Sequence, residues 1–178
     1  VITESADEAV NHIASVFDEN IFGEAGKTLV IEQFLEGIEM SVFALTDGNN
    51  YVLLPGAKDY KRIGDGNTGP NTGGMGTVSP VPFATKEFMD KVVTRVVEPT
   101  ISGLQKDNID YCGFVFFGLM NVNGDPYVIE YNVRMGDPET QVVMPRIGGS
   151  FAEMLQAAAT GTLKDYHTET LPLTALSI

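Results

Sequence analysis

One stretch carries the clearest pattern in this chain, and it reads YVIEYNVRMGDPETQ at residues 127–141. Its first half alternates β-forming residues with polar ones, which predicts a β-strand over Tyr127–Arg134. Because successive side chains of a strand point to opposite faces, Glu130, Asn132 and Arg134 are expected to share one face. The opposite face is predicted to pack on a core, and its members are Ile129, Tyr131 and Val133.

The shared face suits a metal ion next to a phosphate. A carboxylate and an amide oxygen on one strand face are hard ligands of the kind that Mg²⁺ prefers. An arginine one step further along the strand suits a phosphate or carboxylate group. Glu130 and Asn132 are therefore predicted metal ligands, and Arg134 is a predicted anion-binding residue. The alternative is a solvent-facing strand of an antiparallel sheet, which shows the same alternation.

A helix is predicted to begin directly after this strand. Asp137 followed by Pro138 is typical of an N-cap with proline at the first helical position. The free N–H groups of a helix start attract anions, so an anion site is expected beside Arg134. A purely structural cap at Asp137 is compatible with the same pattern.

Composition limits the function classes. With 24 acidic and 11 basic residues the chain has a net charge of −13, which argues against nucleic-acid binding because phosphate contacts need clustered Lys and Arg. A nucleotide needs only a local positive pocket and a metal. Cys112 is the single cysteine, so an internal disulfide is impossible and a cytoplasmic location is expected. No apolar run is long enough for a membrane span, and no signal peptide is visible.

The remaining patterns predict an α+β fold with helices packed on antiparallel sheets. Predicted strands cover residues 28–35, 38–46, 51–54 and 112–122, and predicted helices cover residues 5–17, about 85–104 and a segment opened by a capping box at Ser150. Pro99 is expected to kink or end the second helix. Gly56–Pro82, rich in Gly, Asn, Thr and Pro, is predicted to be a long irregular segment with a function.

Two further segments suggest ligand binding. Lys58–Gly76 combines a local excess of basic residues with glycines that let backbone N–H groups curl around an anion, which favours a phosphate-bearing substrate over a flexible surface loop. Val30–Glu39 is a weaker candidate for an adenine slot, with backbone groups near Glu32–Leu35 reading the base and Glu39 accepting from ribose hydroxyls. An edge strand with acidic side chains is the favoured alternative for that second segment.

Three segments together resemble one family. They are FGEAGKTLVIEQFLEG at residues 22–37, KDYKRIGDGNTGPNTGGMGTVSP at residues 58–80, and GLMNVNGDPYVIEYNVRMGDPETQ at residues 118–141. They resemble the phosphoribosylamine–glycine ligase (glycinamide ribonucleotide synthetase) family of the ATP-grasp superfamily. The resemblance covers nearly the whole chain, and its most specific runs are GPNTGGMG and RMGDPETQ.

The resemblance implies an ATP-grasp fold, truncated at both ends, and a ligase activity. The family joins glycine to phosphoribosylamine with ATP through glycyl phosphate, giving glycinamide ribonucleotide, ADP and phosphate, an early step of purine synthesis. It implies ATP and Mg²⁺ or Mn²⁺, small-molecule substrates, no nucleic-acid or membrane partner, and a full-length monomer or weak homodimer. Another ATP-grasp carboxylate–amine ligase and a non-catalytic nucleotide-binding module remain alternatives.

Residue roles follow from the same resemblance. The implied metal ligands are Glu130 and Asn132, and the implied catalytic residues near glycine and the transferred phosphate are Arg134 and Asp137. The implied nucleotide-binding residues are Glu32, Phe34, Leu35 and Glu39. The implied phosphoribosylamine-binding residues are Asp59, Lys61, Asn71, Thr72, Gly73 and Gly74. Many ATP-grasp enzymes have a third acidic metal ligand on the preceding strand, where Leu119 is expected to face Glu130 here.

The resemblance also implies a domain organisation. Residues 1–55 are expected to form part of the nucleotide-binding subdomain, residues 56–170 the catalytic subdomain, and residues 171–178 the start of a carboxy-terminal domain. A chain that starts at Val1 and stops in LPLTALSI is interpreted as a fragment of a longer protein. The family's lysine-containing loop near the nucleotide would precede Val1, so the fragment is expected to fold but not to catalyse ligation.

Overall fold

The computed structural model describes residues 1–3, 5–66 and 68–178. The chain forms two compact units, Val1–Glu36 and Gly37–Ile178. The first unit contains helix α1 (Ala6–Phe17) and a short 3₁₀ helix, Gly23–Lys27. Helix α1 begins where the capping box predicts, because Glu8 N donates to Ser5 Oγ at 3.3 Å.

The strand predicted over residues 28–35 is absent, so that prediction is wrong. This stretch has no regular secondary structure, and the side chains of Ile31 and Phe34 are 80% and 58% exposed. A strand needs a neighbour to take its backbone hydrogen bonds. No strand in the described residues pairs with this stretch, so its β-forming composition alone does not produce one.

The second unit is built on one antiparallel sheet with the strand order β5-β4-β1-β2-β3-β6. Its strands are β1 (Ile38–Thr46), β2 (Tyr51–Gly64), β3 (Thr68–Ser79), β4 (Gly113–Val122), β5 (Asp125–Asn132) and β6 (Ala175–Ser177). Its α-helices are α2 (Lys86–Val92), α3 (Glu98–Lys106), α4 (Thr140–Val143) and α5 (Phe151–Ala159). The predicted α+β architecture of an antiparallel sheet with packed helices is confirmed. None of the helices in the described part of the chain is long and apolar enough to cross a membrane.

The segment predicted to be irregular forms a long hairpin instead. Strand β2 has 14 residues and β3 has 12, so most of Gly56–Pro82 is strand. The first part of β2 pairs with β1 and its second part pairs with β3. The composition did not predict these strands because a glycine-rich strand lacks the apolar alternation of a half-buried strand. Neighbouring strands nevertheless satisfy its backbone hydrogen bonds.

Helices α2 and α3 form one continuous helical run across Pro99. A π-helical turn, Val93–Val97, joins them, so the helix does not end at Pro99. The proline lies in the first turn of α3, and the wider turn before it changes the hydrogen-bond register. The missing N–H of the proline is tolerated at such a position.

Both faces of the sheet are covered. One face packs on the α2–α3 run, and the buried residues of this core are Met40, Val42, Ala44, Val81, Phe88, Val92, Val96, Val97, Ile101, Val115, Phe117 and Leu119. The other face packs on α4, α5 and the segments that follow them, and the buried residues of this core are Phe43, Leu45, Leu54, Ala57, Phe116, Val142, Val143, Ile147, Met154, Ala158 and Leu163.

The side chains predicted to turn from β5 toward a core are exposed, so that prediction is wrong. Strand β5 lies at the edge of the sheet. Val133 lies beyond the end of the strand and is 73% exposed. Ile129 and Tyr131 are also exposed, although the Tyr131 ring makes an edge contact with Phe117 at 5.7 Å between centroids.

Candidate functional site

Polar side chains from three strands share the sheet face that packs on α4 and α5. On β1, Ser41 lies two residues before Phe43, whose ring belongs to the core of this face. On β5, Asn132 pairs with Phe116 of the same core, and Glu130 lies two residues earlier. Glu130 and Asn132 therefore share a face, as the alternation predicts. We call this set the polar face; its members are Glu39, Ser41, Asp59, Lys61, Glu130 and Asn132.

The strand neighbour of Glu130 is Gly118, so the expectation that Leu119 faces it is wrong. A register shift between β4 and β5 pairs Gly118 with Glu130 and Leu119 with Val128. Leu119 is fully buried in the core against the α2–α3 run. The extra residue, Ile129, breaks the two-residue period in the way that a β-bulge does. A Cβ at position 118 would lie 2.9 Å from Glu130 Cγ, so glycine makes the room that the Glu130 side chain occupies.

The predicted metal ligands suit a hard cation by their donor chemistry. Glu130 offers a carboxylate and Asn132 an amide oxygen on one face. No group of three or more His, Cys, Asp or Glu side chains suited to a metal occurs in the described residues. A hard cation such as Mg²⁺ commonly keeps several ligands from water or from a bound substrate, so two protein ligands are compatible with its chemistry.

Arg134 contacts Asn132 but does not lie at a helix start. It lies beyond the end of β5, exposed, with Nη1 donating to Met135 O at 2.9 Å and Nη2 lying 3.4 Å from Asn132 Oδ1. The guanidinium thus touches the amide oxygen that is the predicted metal ligand. Its own charge remains accessible for an anion beside the polar face.

The helix predicted to start at Pro138 begins later, so that prediction is wrong. Residues 137–139 form a turn that contains the cis Asp137–Pro138 peptide bond, and α4 starts at Thr140 with only four residues. Asp137 is exposed and its Oδ1 accepts from Gln141 Nε2 at 2.9 Å rather than from a helix-start N–H. An anion site made by a helix N-terminus is therefore not present here.

Lys61 and Glu39 form an ion pair on the polar face. Lys61 Nζ lies 3.3 Å from Glu39 Oε2, and both side chains are more than one-third exposed. Burial opposes the charge of Lys61, but the carboxylate of Glu39, with Asp59 and Glu130, outweighs it and raises the pKa of the ammonium group. Glu39, which is predicted to bind the ribose, and Lys61, which is predicted to bind the second substrate, thus lie next to each other.

The other cations of the hairpin have separate partners. Lys58 Nζ lies 4.5 Å from the centre of the Tyr60 ring, and burial lowers the pKa of its ammonium group. Arg62 Nη1 donates to Gly69 O at 2.6 Å. The positive charges expected around one phosphate are therefore distributed along the hairpin, and Lys61 is the one on the polar face.

The hairpin brings two of its predicted substrate residues to Asp59 and Lys61. Thr72 Oγ1 donates to Lys61 O at 2.8 Å and accepts from Gly74 N at 3.2 Å. Gly74 has φ +145°, and a Cβ there would lie 2.5 Å from Pro138 Cδ and 3.1 Å from Asp59 Oδ1. Only glycine fits this contact. Asn71 and Gly73 are exposed on the hairpin.

Asp59 is buried beside a second acidic residue that sequence reasoning missed. Asp59 is 7% exposed and Glu139 is 4% exposed. Ser41 Oγ donates to Glu139 Oε1 at 2.9 Å, whereas Asp59 Oδ1 has no hydrogen-bond partner among the described residues. Burial, and then the charge of Glu139, raise the pKa of the Asp59 carboxyl, while Lys61 lowers it. Nothing local distinguishes Glu139 from the other polar residues of its turn, so only the fold reveals it.

Arg146 is a second residue without a sequence signal. It is buried in the short 3₁₀ turn after α4, and its Nη1 donates to Ser79 Oγ at 2.6 Å. Ser79 Oγ in turn donates to Gly56 O at 2.6 Å, so the guanidinium reaches both strands of the hairpin. Burial lowers the pKa of Arg146. Its position ties the segment after α4 to β2 and β3.

The predicted adenine-binding residues of the first unit lie in its irregular stretch. Glu32 and Phe34 are exposed, and Leu35 is partly exposed. No regular element holds them. Their role in nucleotide binding stays a prediction.

Comparisons with known proteins agree on one family. A family model described as phosphoribosylglycinamide synthetase, ATP-grasp (A) domain, matches residues 1–140. The chain is 49% identical over 164 residues to a phosphoribosylamine–glycine ligase of Chlorobaculum tepidum, covering 92% of the chain and 39% of that relative. It is 47% identical over 159 residues to the chloroplastic phosphoribosylamine–glycine ligase of Arabidopsis thaliana, covering 88% of the chain and 30% of that relative.

Solved structures show the same fold. The phosphoribosylamine–glycine ligase of Thermotoga maritima superposes with a TM-score of 0.84 at 36% identity, covering 100% of the chain and 44% of that protein. A biotin carboxylase domain of Hydrogenobacter thermophilus, solved with MgADP, has a TM-score of 0.65 at 16% identity, covers 96% of the chain and 36% of that protein, and shares the fold. The chain spans about two-fifths of the length of the relative from Chlorobaculum tepidum, 39%. It belongs to the family of phosphoribosylglycinamide synthetase ATP-grasp domains.

Proposed function

We propose that the full-length protein containing this chain ligates glycine to 5-phosphoribosylamine with ATP, giving glycinamide ribonucleotide, ADP and phosphate through glycyl phosphate. Family membership supports this reaction, because the matched relatives carry that name. The observation that carries the proposal is the polar face. There, the oxygen ligands of Glu130 and Asn132, the ion pair of Lys61 with Glu39 and the buried carboxyl group of Asp59 lie on one face of the sheet.

Glu130 and Asn132 are the proposed ligands of Mg²⁺ or Mn²⁺. Both come from one strand, so their spacing is set by the sheet rather than by a loop. When bound, the cation would neutralise charge on the nucleotide phosphates. Arg134 beside them offers a fixed fork of donors for the anionic group that is transferred. Asp137, held by Gln141 in the adjoining turn, is the second proposed catalytic residue.

The nucleotide and the phosphoribosylamine are assigned to flanking residues. Glu32, Phe34, Leu35 and Glu39 are the proposed nucleotide-binding residues. The ion pair with Lys61 uses Oε2 of Glu39, and we assign Oε1 to the ribose hydroxyls. Asp59, Lys61, Asn71, Thr72, Gly73 and Gly74 are the proposed residues for phosphoribosylamine. Contacts of Thr72 and Gly74 with Lys61 and Asp59 support a common site for four of the six.

The wider biological setting is part of the proposal. We place the reaction in de novo purine biosynthesis in the cytoplasm, with small-molecule partners only and a monomer or weak homodimer as the functional form. We also propose that residues 1–55 contribute to the nucleotide-binding subdomain, residues 56–170 form the catalytic subdomain, and residues 171–178 begin a carboxy-terminal domain.

One assay tests the reaction directly. Full-length protein is incubated with ATP and Mg²⁺, with and without glycine and phosphoribosylamine, and ADP release is followed. The proposal requires ADP release that depends on both substrates. Turnover with a different acid or amine instead would identify another carboxylate–amine ligase, and no turnover with any pair would favour a nucleotide-binding module.

A further inference from the structure

The ion pair between Glu39 and Lys61 joins two proposed ligand sites. Glu39 is assigned to the ribose of the nucleotide, and Lys61 is assigned to phosphoribosylamine. The two residues lie on different strands, β1 and β2, and Lys61 Nζ lies 3.3 Å from Glu39 Oε2. Glu39 therefore belongs to the site of one ligand and contacts a residue of the other.

Hydrogen bonds to neighbouring strands fix the backbone from which each side chain extends. Glu39 pairs with Met120 of β4. Lys61 O accepts a hydrogen bond from Thr72 Oγ1, on the other strand of the hairpin, at 2.8 Å. The side chains themselves are partly exposed, 37% for Lys61 and 41% for Glu39. Ligands can therefore reach both side chains and change their conformation without moving the strands.

Other carboxylates compete with Glu39 for the ammonium group of Lys61. Burial opposes the charge of Lys61, whereas Glu39, and then Asp59 and Glu130, favour it and raise its pKa. Asp59 Oδ1 accepts no hydrogen bond among the described residues, so it lacks a donor. A lysine side chain is a flexible stem that loses conformational entropy when it is held in one place. Without Glu39, the ammonium group is expected to divide its time among these carboxylates and water.

A carboxylate can bind a ribose and a lysine at the same time. Both of its oxygens accept hydrogen bonds, so ribose hydroxyls on Oε1 of Glu39 leave Oε2 to Lys61. Hydrogen bonds from the ribose would restrict the partly exposed side chain of Glu39. A group that one ligand has already ordered costs the next ligand less conformational entropy. Ribose on Glu39 should therefore favour the position of Lys61 in which the ion pair is made.

We propose that Glu39 is a positioning residue for the second substrate as well as a ribose ligand: it holds Lys61 for the phosphate of phosphoribosylamine, and the ribose hydroxyls of the nucleotide strengthen this hold. The inference rests on the proposed function, which supplies the two ligands. It adds a positive coupling that two independent sites would not show. Because such coupling is reciprocal, each ligand should tighten the binding of the other by the same factor.

Calorimetric titration of the full-length protein with glycinamide ribonucleotide, the proposed product, measures this coupling. The titration is run with Mg²⁺ and saturating ADP, and again with saturating 2′,3′-dideoxy-ADP, which lacks both ribose hydroxyls. The coupling ratio is the Kd of glycinamide ribonucleotide with the dideoxy nucleotide divided by its Kd with ADP. We expect a ratio of about two to five, because an exposed ion pair contributes a factor of that size.

Two variants connect the coupling ratio with the ion pair. Glu39→Gln keeps the side-chain size and an oxygen for the ribose but removes the charge, and Lys61→Met removes the ammonium group. Each should lower the ratio to about one, and the double variant should bind glycinamide ribonucleotide no more weakly than Lys61→Met. Glu87→Gln is the matched control, since it makes the same change at an exposed residue of α2 that pairs with Lys91 at 4.0 Å. It should keep the wild-type ratio.

The wild-type protein alone can overturn the inference. A coupling ratio of about one in the wild type does so, and this measurement does not depend on the folding of any variant. A wild-type ratio that persists in Glu39→Gln also overturns it, as does a strictly additive loss of affinity in the double variant. A wild-type protein that does not bind glycinamide ribonucleotide refutes the proposed substrate itself, whereas binding without coupling refutes this inference alone.

Discussion

Gly118→Ala tests the packing of Glu130 against β4 in the most direct way. The Cβ of alanine would lie 2.9 Å from Glu130 Cγ. Carbon atoms pack best at about 3.5–4.0 Å, so the glutamate must move by about half an ångström or more. Glu130 is exposed, so it can rotate away from the new methyl group. The substitution should therefore displace a proposed metal ligand while leaving the core intact.

We expect Gly118→Ala to reduce stability and activity by different amounts. Added methylene groups in a tightly packed core lower the free energy of unfolding by ~1–3 kcal/mol. Because Glu130 is exposed and can rotate, we expect Gly118→Ala to lower it by ~1 kcal/mol. Catalytic groups tolerate displacements of only ~0.5 Å. We expect the turnover rate at limiting Mg²⁺ to fall by about tenfold or more, which corresponds to ~1.4 kcal/mol of transition-state stabilisation.

The assay is a Mg²⁺ titration of full-length wild-type and variant enzyme at saturating ATP, glycine and phosphoribosylamine, with thermal unfolding measured in parallel. Gly103→Ala in α3 is the matched control, because its Cβ would meet no atom within 4 Å. That change should leave the Mg²⁺ dependence unaltered and stabilise the helix by ~0.5–1 kcal/mol. A Gly118→Ala enzyme with wild-type Mg²⁺ dependence would refute the reasoning, and so would one that loses activity only through unfolding.

Three more predictions follow from the same site. Glu130→Gln should abolish most Mg²⁺-dependent turnover with an unchanged melting temperature, because the exposed residue contributes charge rather than packing; a large drop in melting temperature would make Glu130 structural. The raised pKa of Asp59 means that the folded state holds its proton more tightly than the unfolded state, so stability is lost as pH rises through the folded pKa. Asp59→Asn should therefore melt higher than wild type near pH 7, with the gain shrinking toward acid; a gain that grows toward acid would contradict the sign. Amide hydrogen exchange of Gly56–Gly76 should be fastest at the exposed hairpin tip and slow when glycinamide ribonucleotide binds, and equal protection in both states would count against a phosphate-binding hairpin.

Local sequence patterns were enough to predict several structural elements. The Asn123–Gly124 turn forms with φ values of 53° and 88°, as a two-residue hairpin requires, so β4 and β5 pair as predicted. The capping boxes at Ser5 and Ser150 start α1 and α5, since each hydroxyl accepts from a backbone N–H three residues later. The two-residue period of β5 places Glu130 and Asn132 on one face. Each of these depends on residues close together in the chain, and motif resemblance added the family.

What depends on distant partners appears only in the tertiary structure. Residues 28–35 have strand composition but no strand to pair with, whereas the glycine-rich hairpin of β2 and β3 gains its strands from β1 and β6. The bulge that pairs Glu130 with Gly118 instead of Leu119 depends on the register between two strands. The burial of Asp59 beside Glu139 requires β2 and the turn before α4 to meet. A sequence pattern predicts on which face of a strand a side chain lies. Its burial and its electrostatic environment depend on the distant groups that share that face, and tertiary packing alone brings those groups together.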